Sequence, residues 1–587
     1  MQEATRDVDA APAARAQSRT ADRAPDQASG QASGPAPGRT SRRLRSRAGA
    51  GGAAWTARLG WALAALCALP AASVFVTAIL GDWALWRTLA DTVLPRYALT
   101  TLRITALVAL GTALIGVGAA VLVTSFRFPG RRVFEVALVA PLAFPAYVLA
   151  YGYTWFLDHP GPVQTLLRDV TGWGPRDYWF PEIRSEGGAA LMLTLVLYPY
   201  VYLLTRAALL HQSVAAAHVA RTLGCGPWGV LFRVTLPMVR PAIAAGVALA
   251  LMETVADFGT VAHFGVQTFA TGVYRAWFSM GDRVAAAQIA ACLLSLALLL
   301  AALERWQRGA AKRHEAGRRV EALEERTLRG LRGWAATAAC AVPVLFGFVG
   351  PVLVLGEMAI ETGPGVRWPR YWEFTANTLS LGAVAAALCV FAALAIAYAS
   401  RLAPGPGSRA AELAASMGYA APGGVIAVGL LIPLAGFDNA LDAFARERFG
   451  VSTGLLLTGS AAALVLAYMA RFMAAALGAV ASGFEAAPPN LDASGRVLGL
   501  GVWGVVRRIH LPILKGSLLT SGLIVFVDVV KELPATLMLR PFNFDTLAVQ
   551  AYRLASDERL EQSAFPSLAI AAVGLIPVTL LARSIRR

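Results

Sequence analysis

Four carboxylates stand in two matched pairs within apolar stretches of the chain. Glu253 and Asp257 follow Pro237 by sixteen and twenty residues, and Asp528 and Glu532 follow Pro512 by the same two steps. A spacing of four residues places both members of a pair on one face of a helix. At a rise of about 1.5 Å per residue they lie roughly 24 to 30 Å beyond the prolines, in the outer half of a bilayer. Ionisable groups at that depth are costly, and they face a cavity or a partner. Two roles are open. The four acids line a path near an outer gate, where clustered carboxylate oxygens suit a hard cation. Alternatively they are structural and pair with Lys531, Arg275 or helix ends.

Other reactive constellations are missing. The five cysteines, Cys67, Cys225, Cys292, Cys340 and Cys389, form no CxxC pair and read as small buried thiols. The histidines His159, His211, His218, His263, His314 and His510 have no ligand spacing and read mostly as loop or surface residues. No metal site is expected. There is no HExxH and no GxSxG. None of the three lysines, Lys312, Lys515 and Lys531, follows a glycine, so a P-loop cannot occur. The chain reads as a transport subunit and not an enzyme. It is expected to bind no cofactor, and any ATP would be used by a partner.

The elements that carry these acids are membrane helices. Of 587 residues, 57% are hydrophobic and 15% charged, and apolar runs of eighteen or more recur throughout. The expected fold is an all-α polytopic membrane protein with twelve transmembrane helices in two parallel six-helix repeats. The spans are drawn at Trp55–Leu80, Ala98–Ser125, Phe134–Leu157, Gly187–Leu210, Ala242–Val261, Val284–Leu303, Trp334–Leu355, Thr375–Ser400, Ala410–Leu434, Val451–Leu477, Ile513–Leu533 and Ala564–Leu581. Residues 1–54 read as a disordered basic cytoplasmic tail, because they lack apolar periodicity. Residues 55–303 form the first half (core about 98–303), 304–333 a charged cytoplasmic linker, and 334–587 the second half (core about 375–581).

The net charge of +16 belongs to loops between spans and does not indicate nucleic acid. Arginines such as Arg127, Arg131, Arg221, Arg233, Arg401 and Arg409 fall on one side, whereas the loop after Leu157 holds five acids against three bases. This asymmetry places both termini in the cytoplasm. The halves also echo each other. Thr100-Thr101-Leu102 matches Asn377-Thr378-Leu379 at an offset of 277, as Glu135 and Pro145 match Glu412 and Pro422. Leu236-Pro237 matches Leu511-Pro512 at an offset of 275. Each half holds an even number of spans, which predicts a pseudo-two-fold axis along the membrane normal with a path between the halves.

Two loops share a further pattern. The first carries His218, Ala220, Gly224, Leu236 and Pro237, and the second Ala493, Gly495, Gly499, Leu511 and Pro512, with thirteen residues from glycine to proline in both. Glycine allows the chain to reverse, and proline is expected to start the next helix. This resembles the EAA loop of ABC importer permeases, although His218 and Ala493 stand where that pattern has glutamate. The resemblance implies that each loop forms a short cytoplasmic helix seated in an ATPase subunit. Met252-Glu253-Thr254-Val255-Ala256-Asp257-Phe258-Gly259, Lys531-Glu532-Leu533-Pro534 and Arg540-Pro541-Phe542-Asn543-Phe544-Asp545 are similar to segments of iron(III) ABC transporter permeases. That branch implies two copies of a cytoplasmic ATPase, a periplasmic substrate-binding protein, and a multi-pass place in the bacterial inner membrane. Its cargo would be ferric iron, or, among relatives, thiamine, phosphonate or polyamine. A twelve-helix secondary transporter is the more distant alternative.

Overall fold

The computed structural model describes residues 39–210, 215–315, 326–363, 367–488 and 490–586. The described residues are helical almost throughout. Eleven of the described helices are long and apolar enough to cross a membrane, and one further pair, Arg131–Ala143 with Ala146–Thr171, is bent by 90°. Counting that pair as one span gives twelve.

The bend follows from proline. Pro145 and Pro422 each precede a buried helix, Ala146–Leu157 and Gly423–Phe449, and each is itself extended. A residue before proline avoids the helical region, and Phe144 is extended as well. The third and ninth expected spans are therefore not continuous. Phe134–Leu157 becomes a short helix, Arg131–Ala137, a turn, and then Ala146–Leu157. Ala410–Leu434 becomes Pro406–Ser416, a turn at Met417–Tyr419, and then Gly423–Phe449.

Within each half three long helices pack together. Leu94–Ser125, Glu186–Leu210 and Leu236–Ala256 form one group, and Trp368–Leu402, Ala461–Ala486 and Leu511–Lys531 form the other. The helix that opens each half lies against the opposite group. In the first, the Cys67 thiol donates to the Met469 carbonyl at 3.9 Å, and a Cβ on Gly429 would stand 2.1 Å from the Pro70 carbonyl oxygen. In Leu331–Thr362, Phe346 accepts from the Tyr153 hydroxyl at 2.6 Å.

Two boundaries differ from expectation. A helix runs Arg39–Leu80, so the basic stretch from Arg39 to Arg47 is helical rather than unstructured; arginine and alanine are good helix formers. The charged linker begins inside a helix, Arg283–Glu315, and resumes as a two-residue strand, Arg326–Thr327, paired in parallel with Phe126–Arg127. Residues 1–38 and 316–325 of the expected tail and linker lie outside the described residues.

Candidate functional site

All four paired carboxylates line one cavity of about 220 Å³. Its wall also carries Arg471, Lys531, Tyr147, Tyr200 and Tyr419. The acids divide into two kinds. The helix Leu236–Ala256 ends one residue before Asp257, whose backbone is extended. The Asp257 carboxylate accepts from the N–H groups of Thr260 and Val261 at 3.0 and 3.2 Å and from the Thr260 hydroxyl at 3.1 Å. Glu532 repeats this at the end of Leu511–Lys531, accepting from the N–H groups of Ala535 and Thr536 at 2.8 and 2.9 Å. Both acids thereby satisfy donors that the start of the next turn leaves open. The pairs do not share a continuous helix face, because each helix stops between its two acids.

Glu253 and Asp528 have no hydrogen bond or ion pair among the described residues. They lie close enough to each other and to Lys531 to interact electrostatically. Lys531 donates to the Leu142 carbonyl at 2.8 Å. Arg471 pairs with Glu532 at 3.2 Å. Arg275, considered as a partner, is exposed and pairs with none of the four. Arg471 had a signal in the sequence, being an ionisable residue inside an apolar span.

The two loops build the same turn. Helix Ala215–Thr222 ends at Gly224 with φ of 85°, and helix Leu491–Val497 ends at Gly499 with φ of 81°. In the first, the N–H of Gly224 bonds Arg221 O and that of Cys225 bonds Ala220 O, at 3.0 and 2.9 Å. In the second, Gly499 bonds Arg496 and Leu500 bonds Gly495, both at 3.0 Å. This pair of bonds around a left-handed glycine is the Schellman arrangement. Ala220 and Gly495 are buried against the loop, whereas His218 and Ala493 are exposed. Leu223 and Leu498 are each 79% exposed, and Trp228 and Trp503 are 71% and 67% exposed. The same apolar display is thus repeated at both loops.

Pro237 and Pro512 do not start new helices. Each follows a π-helical turn, Leu231–Thr235 or Val506–His510, inside one helix that runs Pro227–Ala256 or Val502–Lys531. Leu236 and Leu511 end the wide turns, with their N–H groups bonding five residues back to Leu231 and Val506. The wide turn accommodates a ring that would otherwise clash with the carbonyl one turn earlier.

The second loop is anchored by a buried carboxylate. Asp492 accepts from Arg401 Nε at 2.8 Å and bonds His510 Nε2 at 2.9 Å. Arg401 also donates to the carbonyls of Phe484 and Pro488 at 2.8 and 2.7 Å. Burial alone would raise the Asp492 carboxyl, yet the bonds from Arg401 and His510 outweigh it and hold it below the usual range. His510 is wholly buried inside a helix, so the loop or surface reading does not hold for this histidine, whereas His159 and His218 are exposed. His263 is partly buried and bonds the Thr154 hydroxyl at 3.0 Å.

Just before the start of helix Glu186–Leu210, which is about 37 Å long by its 25 residues, Arg184 joins the two halves. It grips Glu558 with two bonds, 2.7 and 2.8 Å, and Asp158 at 3.1 Å. No sequence spacing links these three. Among the described residues no group of three or more His, Cys, Asp or Glu could hold a metal ion.

Residues 112–313 match the family described as the binding-protein-dependent transport system inner membrane component. The chain is 24% identical to the Fe(3+)-transport system permease protein FbpB 2 of Haemophilus influenzae, over 81% of this chain and 87% of that one. It is 28% identical to the molybdenum transport system permease protein ModB of Escherichia coli, over 35% of this chain and 88% of that one. A probable sulfate transport system permease protein, cysT of Chlorokybus atmophyticus, is 26% identical over 28% of this chain and 56% of its own.

Proposed function

We propose that this chain is a membrane permease of the binding-protein-dependent ABC importer class and that its cargo is ferric iron, passed between the two halves of the chain. The observation that carries the substrate is the charge of the cavity. Four carboxylates face two cationic side chains, Arg471 and Lys531. Two of the acids, Glu253 and Asp528, have oxygens not committed to protein partners among the described residues. Such a wall attracts a cation in passing, without a ligand group among the described residues that would hold it, and opposes an oxyanion such as the sulfate that one relative is named for. The length over which the chain follows an Fe(3+)-transport permease supports the same reading.

The mechanism is alternating access. A binding protein delivers cargo on the face that carries Arg184. Two ATPase subunits take the loop helices Ala215–Thr222 and Leu491–Val497, with Leu223, Trp228, Leu498 and Trp503 as apolar contacts. Closure of the ATPases on ATP draws the loop helices together, breaks the Arg184 clamp and opens the cavity outward. Hydrolysis, carried out by the partner, restores the clamp. Both termini lie in the cytoplasm, and the two halves are related by a pseudo-two-fold axis. Glu253 and Asp528 contact cargo, while Asp257 and Glu532 hold the broken helices that frame it.

Competition in vesicles tests the cargo. Vesicles containing the permease, its ATPase and its binding protein are given radiolabelled ferric iron with excess molybdate, thiamine, phosphonate or polyamine. Uptake that survives every competitor and falls with unlabelled ferric iron supports the assignment. Failure to take up iron, alongside uptake of another solute, overturns it.

A further inference from the structure

A second cavity, of about 250 Å³, lies where helix Trp368–Leu402 begins. Arg367, Arg370 and Arg559 line it together with Gln550, Gln562 and Tyr371, and no carboxylate does. Among the described residues none of the three arginines has an acidic partner. Arg559 donates to the Gln562 side-chain carbonyl, and both residues also line a neighbouring cavity with Glu361, Glu558 and Glu561. Arg370 is held over the Phe374 ring at 5.6 Å. The Thr362 hydroxyl is buried on this wall without a hydrogen-bond partner. The helix start adds unfilled N–H donors, since its N-cap has no side-chain bond. Three of the lining groups carry full positive charge, while the Tyr371 hydroxyl donates to the Phe565 carbonyl at 3.4 Å.

We propose that this cavity binds a phosphate group, supplied by the headgroup of a membrane phospholipid. Guanidinium groups match phosphate oxygens in pairs of bonds. The position argues for lipid. Trp368 and Trp372 are 45% and 61% exposed beside the cavity, as tryptophans are at a membrane interface. Farther along the same helix, Val384 and Phe391 are exposed apolar residues of its span. Three arginines gathered at this end also run against the charge asymmetry of the loops, and a bound phosphate accounts for them. Calling this the outer interface rests on the importer reading; the donor set does not.

Native mass spectrometry of the full-length permease in detergent tests the site without ATPase, binding protein or cargo, so its result is independent of transport. The probes are dioleoylphosphatidylglycerol, dioleoylglycerol without the phosphate, and inorganic phosphate. The wild type should retain the phospholipid and release the diacylglycerol. The triple variant Arg367→Gln, Arg370→Gln, Arg559→Gln should weaken retention by tenfold or more, about the loss of one charge-assisted bond or more. Persistence of the complex in millimolar inorganic phosphate assigns the site to lipid; displacement, with phosphate itself raising the melting temperature, assigns the same site to free phosphate. Equal retention of the two lipids by wild type, with no effect of phosphate, overturns the proposal. That comparison holds even if the triple variant does not fold.

Discussion

Asp257 and Glu532 do with one carboxylate what a helix start ordinarily needs a serine or aspartate cap to do, and they do it at membrane depth. Their neighbours Glu253 and Asp528 do nothing of the kind, and this separates two experimental outcomes. Glu532→Gln weakens both the cap and the buried pair with Arg471. It should destabilise the permease by about 3–5 kcal/mol, as breaking one side of a buried pair does. Glu253→Gln and Asp528→Asn should change thermal stability by less than about 1 kcal/mol and lower ferric uptake at least tenfold. Thermal melts beside uptake assays check this; unchanged uptake in both variants would leave these acids without a transport role. The +16 and +20 spacing made the four acids legible in the sequence. The break between the members of each pair was not, because a spacing of four reads as continuous helix. Gly259 and Pro534 were the local signals. A Cβ on Gly259 would stand 2.7 Å from Tyr147 Cβ, and Pro534 sits in the first turn of the next helix.

A further residue-scale prediction concerns acid. The two bonds from Arg184, ahead of the cost of burial, lower the Glu558 carboxyl below its ordinary value near 4.5. A depressed carboxyl contributes stability that is complete above the unfolded value and is lost as pH falls through the folded one. The clamp should therefore be insensitive to pH from 7 to 5 and release below about 4.5. Crosslinking between cysteines placed beside Arg184 and Glu558 would follow it; release already at pH 6 would contradict the ion pair.

At the scale of elements, the loop turns are the part of the site that sequence revealed most fully. Left-handed glycines at Gly224 and Gly499 follow from the requirement that the chain reverse after a short helix. Nothing crowds either position, so a larger side chain is opposed by backbone strain alone, about 1–2 kcal/mol. Gly224→Leu with Gly499→Leu should leave the membrane helices folded and uncouple ATP hydrolysis from uptake. Asp492 was hidden because its partners Arg401 and His510 are 91 and 18 residues away, and only the fold brings them together. Asp492→Asn should loosen the second loop helix alone. Hydrogen exchange of residues 491–497 against 215–222 measures this, and equal exchange in the variant would remove the anchor role. The continuous helices through Pro237 and Pro512 escaped the sequence reading because proline usually marks a start, and a π-helical turn leaves no side-chain signature.

At the scale of the whole molecule, the opening helix of each half lies on the other half, and Arg184 ties the halves at the face away from the loops. The number of spans, eleven or twelve, was legible because apolar length must match bilayer thickness, but their ends were not: the tenth, expected at Val451–Leu477, runs Ala461–Ala486. The exchange of opening helices was not, since every lipid-facing and protein-facing run is apolar alike.

The most direct test is ATP hydrolysis by the reconstituted transporter. The ATPase rate is measured with the binding protein empty and loaded with ferric iron, in wild type and in the double variant Gly224→Leu, Gly499→Leu. Stimulation by the iron-loaded binding protein in wild type, and its loss in the double variant while the permease stays folded, is the predicted result. A rate indifferent to the binding protein, or equally stimulated in the double variant, would contradict the account.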